Sequence, residues 1–243
     1  MLSVCIFGTL LYSSDSPLNY FLTSLELRSV LMGIAVAATT FLIIRSPFGR
    51  RSGAHFNPAI TLTFLWLRRI QQWDAVCYVI AHFIGAVVGV AIARQILGVH
   101  LSSAPVLYLV TVPGSYGRFI AFAVEFVLSG LLMAVVLYTA NHRRLTRFTP
   151  VFVALLPIVY FPLSSSISGF SVNPARTFSS ALFAWIWQGI WIYFLAPCLG
   201  MLMSAEIYIG RTGSNRVYCA KVFHDKRSPC PFPCHFNRLF DEP

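Results

Sequence analysis

Charge is what this chain has least of. Only 11% of its 243 residues are Asp, Glu, Lys or Arg, where a soluble domain carries about 25%. Eight acidic residues offer no pairing of carboxylates for acid–base work, and no nucleotide fingerprint or catalytic triad occurs. An enzyme is therefore not expected, and no cofactor is implied. The net charge of +10 would suit nucleic acid if the basic residues were spread over a soluble surface. They are instead confined between long apolar runs, so no nucleic-acid partner is expected. Nor do the six cysteines form a secreted disulfide framework: Cys5, Cys77 and Cys198 lie in apolar stretches and read as packed free thiols.

What fills the chain is apolar: 57% of it is hydrophobic and 15% aromatic. That balance points to lipid as the solvent. A spanning helix needs about 20 apolar residues, and five segments qualify, at 27–45, 73–97, 118–140, 149–165 and 187–209. Their Gly, Ala and Ser content suits close packing between helices in a bilayer. A sixth segment, "MLSVCIFGTLLY", is shorter. With no Lys or Arg before it, it makes a poor signal peptide. It is expected to be the later half of a spanning helix whose first part precedes Met1.

Basic residues alternate along the chain. Arg45, Arg50, Arg51, Arg68 and Arg69 fall in one connection, Arg143, Arg144 and Arg147 in another, and Arg211, Arg216, Lys221, Lys226, Arg227 and Arg238 in the tail. The connections at 13–26 and 98–117 have none. The positive-inside rule then predicts a multi-pass protein of the cell membrane with both termini cytoplasmic.

One short polar phrase occurs twice at an offset of 116: "SGAHFNPAITL" at 52–62 and "SGFSVNPARTF" at 168–178. Counted against the spans, the two copies enter from opposite faces, which predicts an inverted repeat of about 1–100 against 117–210. Asn is a preferred N-cap and Pro a preferred first helical residue. Asn57-Pro58-Ala59 and Asn173-Pro174-Ala175 therefore each read as the start of a helix too short to span. Two such half-helices would meet N-terminus to N-terminus near the midplane, where their dipoles repel a cation and orient a neutral dipole. Each Asn carbonyl would cap its own helix, leaving the NH2 to donate toward a lumen.

These boxes resemble those of the major intrinsic protein family, the aquaporins and glycerol facilitators. "AHFIGA" at 81–86 and "YFLAPCLG" at 193–200 are similar to its third and sixth helices, with His82 where the family has Gln. The resemblance covers about residues 3–210. It implies an all-α, aquaporin-like fold of six transmembrane helices and two half-membrane helices, commonly a homotetramer in membrane lipid with one pore per subunit. By the same resemblance Asn57 and Asn173 mark the pore centre and Arg176 the outer constriction. Phe170 and Phe161 (or the neighbouring Tyr160) would complete the selectivity filter. Its helix-two member is Ala37, or Met32 if "SPFGRRSG" contains an insertion. Glu125 resembles the carboxylate that supports the second loop. His55 is expected in the cytoplasmic vestibule, and His82 as a packing residue.

There are departures from the family. No His lies between 142 and 224, where water-selective members place one, and Thr177 stands where glycerol facilitators have Asp. The implied function is a passive channel for water and small neutral solutes that excludes ions and protons. The alternatives are a glycerol-facilitator-like channel of little water selectivity and, from another class, a closed-pore scaffold or adhesion protein. A coupled transporter would need midplane carboxylates, and only Glu125 qualifies.

Residues 211–243 are expected to form a cytoplasmic tail. It holds Cys219, His224, Cys230, Cys234 and His235 within seventeen residues. Only Cys230-x3-Cys234 has zinc-type spacing, so reduced thiols are expected rather than a metal site. Cys219, Cys230, Cys234 and His235 are the candidate ligands should one form.

Overall fold

The computed structural model describes residues 1–224 and 228–241. The apolar runs form helices: α1 (Leu2–Tyr12), α2 (Leu25–Arg45), α5 (Gln72–Leu97), α7 (Arg118–Ala140), α8 (Thr149–Ser168) and α10 (Ile190–Thr212). All but the shorter α1 are long and apolar enough to cross a membrane. Between them lie the short α3 (Pro47–Ser52), α4 (Pro58–Trp66), α6 (Val99–Ser102) and α9 (Pro174–Ala184); the tail ends in α11 (Arg238–Asp241). Leu42, Ile84, Phe119 and Leu163 stay exposed on the outward helix faces. That would be costly in water and is natural in lipid.

The two halves repeat the same contacts. α7 packs on α10 and on α8, as α1 packs on α5 and on α2. α2 and α8 pack on each other at the centre of the pseudo-symmetry. Each half-helix crosses to the other half as well: α4 lies against α5 and α10, α9 against α10 and α5.

Such close packing needs small residues. A Cβ on Gly200 of α10 would stand 2.1 Å from the Phe126 carbonyl oxygen of α7. One on Gly33 of α2 would stand 2.7 Å from the Pro157 carbonyl oxygen of α8. Dispersion and backbone proximity hold helices together in a bilayer that supplies no hydrophobic drive between them.

The tail is part of the same body. Val217, Cys219, Ala220 and Val222 are buried in one core cluster with Phe64 of α4, Met133 of α7 and Met201 of α10.

Candidate functional site: the junction of the half-helices

The repeated phrase builds nearly the same backbone twice. Gly53 and Gly169 end α3 and α8 in left-handed conformations, with φ of 80° and 76°. The next residues, Ala54 and Phe170, are also left-handed, with φ of 60° and 47°. Two consecutive left-handed residues turn the chain back on itself, which explains why both copies carry Gly. Asn57 and Asn173 then stand extended, with φ/ψ of −142°/119° and −147°/112°. The Asn57 side-chain oxygen accepts from Ala59 N at 3.0 Å, and that of Asn173 from Ala175 N at 3.0 Å.

The amide nitrogens cross the junction. Asn57 Nδ2 donates to the Val172 carbonyl at 2.8 Å, and Asn173 Nδ2 to the Phe56 carbonyl at 2.9 Å. This modifies the expectation of free NH2 groups: one N–H of each is spent tying the loops together, and a second remains. Both asparagines line a cavity of about 380 Å3.

A second matched pair fixes each loop to its half-helix. Ser171 Oγ lies 2.5 Å from Thr177 Oγ1, and His55 Nδ1 lies 3.1 Å from Thr61 Oγ1, at the same repeat positions. Behind the second loop, Glu125 is buried in α7. Its carboxylate accepts from Ser171 N at 2.9 Å, Val172 N at 2.6 Å and Ser168 Oγ at 2.8 Å. Three donors offset the desolvation of this intramembrane charge.

Arg176, Phe161, Tyr160 and Phe170 all line the cavity. Phe170 meets Phe161 and Tyr160 edge-on, with ring centroids 5.7 and 6.0 Å away. The Arg176 Nη1 is buried without a hydrogen-bond partner among the described residues. Ala37 is buried but is not among the lining residues; its neighbours Val36, Thr39 and Thr40 are. Met32 instead shares a buried cluster with Phe161 and packs beside Phe170. Met32 is fully buried and does not line the cavity either, and "PFGRRS" forms the short helix α3.

His55 is also displaced from its expected place. It is not a lining residue of the cavity: it is buried, stacked between Phe64 and Phe232, and its Nε2 lies 2.7 Å from the Ala220 carbonyl. A carbonyl only accepts, so Nε2 carries the proton and Nδ1 accepts from Thr61. His82 packs as expected, bonded through Nε2 to the His55 carbonyl at 2.8 Å, but it also borders the cavity.

The cover of the first loop is not expected from the sequence. Val222 N donates to the Gly53 carbonyl at 3.0 Å, and Val222 lines the cavity. Lys221 is buried, donating to the carbonyls of Arg50 at 2.7 Å and Pro229 at 3.0 Å. Its cation thus sits at the carbonyl end of α3. Tyr218 N donates to Asn141 Oδ1 at 2.8 Å. Among these, an apolar "VYCAKVF" inside a polar tail was the available signal. In the tail, Cys219, His224, Cys230 and Cys234 come together, their ligand atoms all within 4.8 Å of one another. His235 is exposed and outside that group, so His224 takes the place expected for it.

Comparison with known proteins agrees with this architecture. The family model described as Major intrinsic protein matches residues 4–208. "Probable aquaporin NIP-type" of Nicotiana alata is 33% identical over 66% of this chain and 58% of its own length. "Glycerol uptake facilitator protein-like 6" of Lactiplantibacillus plantarum is 32% identical over 71% of this chain and 79% of its own. "Nodulin-26" of Glycine max is 30% identical, over 72% and 64%. The chain thus spans about three-fifths of the length of two of these relatives. Among solved structures, the aquaglyceroporin from Plasmodium falciparum superposes with a TM-score of 0.65 at 18% identity, covering 85% of this chain and 89% of its own. With two paired half-helices and a family model that matches residues 4–208, the chain belongs to the major intrinsic protein family.

Proposed function

We propose that this multi-pass membrane protein is a passive channel for water and small neutral solutes. The observation that carries the reading is the meeting of two half-helix N-termini, Asn57 and Asn173, at one cavity. Each N-terminus presents about half a positive charge, and Arg176 adds a full one. A permeating cation would face all three in a site with few counter-charges, whereas a neutral hydroxyl can accept from the remaining Asn N–H groups. Phe161, Phe170 and Arg176 form the selectivity constriction in this reading, with Met32 packed behind the two rings; Glu125 holds its loop, and Pro58, Ala59, Pro174 and Ala175 shape the half-helix starts.

The relatives named as aquaporins and as a glycerol uptake facilitator span both substrate choices. The aromatic edges of Phe161 and Phe170 favour the second: they suit a solute with carbon–hydrogen faces and limit hydrogen bonding to water. The protein is placed in the cell membrane, tail inside, as a homotetramer; the alternation of basic residues supports the orientation and the family the assembly.

Stopped-flow light scattering on proteoliposomes, with water, glycerol and urea gradients, tests this. Glycerol permeation well above that of protein-free vesicles is expected. Permeation of all three at the protein-free rate would leave the scaffold reading in its place.

A further inference from the structure

The tail cluster is the strongest feature that the channel reading leaves unused. Its residues follow the pattern Cys219-x4-His224-x5-Cys230-x3-Cys234. The Cys219 and Cys230 sulfurs are 3.4 Å apart, and His224 Nε2 is 3.2 Å from the Cys234 sulfur. All six cysteines are free thiols. Four ligand atoms of this kind, mutually within 4.8 Å, match a tetrahedral zinc shell, in which sulfurs bound at about 2.3 Å lie about 3.8 Å apart. Three sulfurs and one imidazole are a soft set that selects zinc-class ions over magnesium or calcium.

We propose that Cys219, His224, Cys230 and Cys234 bind one soft divalent ion of the zinc class, which fastens the tail across the inner loop of the channel. The first two ligands bracket the residues that touch that loop. Ala220 O meets His55, Lys221 Nζ reaches the Arg50 carbonyl, and Val222 N reaches the Gly53 carbonyl. Phe232, between the last two ligands, stacks on His55 at 5.3 Å. A metal tie across these ligands closes both strands of the tail on the loop. Binding displaces the thiol protons to solvent. The tie itself does not depend on conduction; only an effect on permeation rests on the channel reading.

Two measurements on the full chain in detergent test the proposal. The first is metal content after exposure to zinc and desalting, together with the visible spectrum after cobalt replacement. One ion per chain and the intense bands of tetrahedral thiolate-rich cobalt are expected. Cys230→Ser with Cys234→Ser should lose both, His235→Ala and Cys77→Ser should lose neither, and His224→Cys should keep the ion with an all-sulfur spectrum. The last variant decides the matter even if the serine variants fail to fold. Failure to retain an ion, equal retention by the serine variant, or a Cys219–Cys230 disulfide in the fresh protein would overturn the site.

The second measurement is trypsin cleavage after Lys221, mapped by mass spectrometry. This bond is buried when the tail is docked and should be cut about tenfold more slowly in loaded than in stripped protein. Equal rates would overturn the fastening. Neither readout requires permeation, so a channel that proves closed leaves this test intact.

Discussion

Asn57 and Asn173 are each held by the other's loop: the first donates to the carbonyl immediately before the second, and the second returns the bond to the carbonyl immediately before the first. Each also caps its own half-helix. The meeting point of the half-helices is thus a shared junction in which neither copy of the box is complete alone.

Replacing Asn173 by Ala removes a cap, which costs about 0.5–2 kcal/mol, and leaves the Phe56 carbonyl short of a donor, about 1–3 kcal/mol more. A lower unfolding temperature in detergent and loss of water permeation are expected. Asn57→Ala should behave alike, and the double variant should cost less than the two singles together, because the junction is shared. Strict additivity in thermal unfolding would show that the two bonds are independent.

Glu125→Gln keeps the shape of the side chain but turns one acceptor into an NH2 facing the backbone donors of the second loop. An expected destabilisation of about 1–3 kcal/mol follows from one mispaired buried N–H. Intrinsic-fluorescence unfolding measures it, and permeation should fall with it, since Phe170 and Arg176 flank the loop that Glu125 holds. An unchanged midpoint would argue against that support.

Phe170→Ala removes the ring that meets both Phe161 and Tyr160. Loss of one aromatic wall is expected to change the ratio of glycerol to water permeation on the order of tenfold, read by stopped-flow scattering on vesicles. Arg176→Val should instead raise ion leak, visible as faster decay of an imposed potassium gradient. If neither ratio nor leak moves, the constriction lies elsewhere.

His55→Ser would copy the second loop's solution into the first, since Ser171 is its repeat counterpart and still reaches the threonine of its half-helix. A serine at 55 should keep the bond to Thr61 but lose the bond to Ala220 and the stack on Phe232. The half-helix junction should survive while the tail loosens. Faster trypsin cleavage after Lys221 with little change in unfolding temperature is the expected pair of results.

Much of this was legible in the residues. Asn-Pro-Ala twice in register, basic residues alternating with apolar runs, and a lone carboxylate in α7 state the topology and the junction. They do so because capping, charge placement and burial are local or periodic properties. What escaped was set by contacts distant in sequence. That Val36, Thr39 and Thr40 of α2 face the cavity, rather than Ala37 or Met32, depends on how the helix is turned against its neighbours. The burial of His55 depends on residues 165 positions later. His224 replaces His235 as a companion of the three thiols because the fold of the tail, rather than its spacing, brings the imidazole round.

The crossed bonds also impose an order on synthesis. When Asn57 leaves the ribosome, its acceptor at Val172 lies 115 residues behind it, and the Ala220 carbonyl that meets His55 lies 165 residues behind its partner. The first re-entrant loop must therefore wait in the membrane unfinished while the second half is inserted. Its cover, around residues 220–222, follows the second half in the sequence. The nascent chain can complete neither bond of the first loop before residue 172 and, for His55, residue 220 have been made.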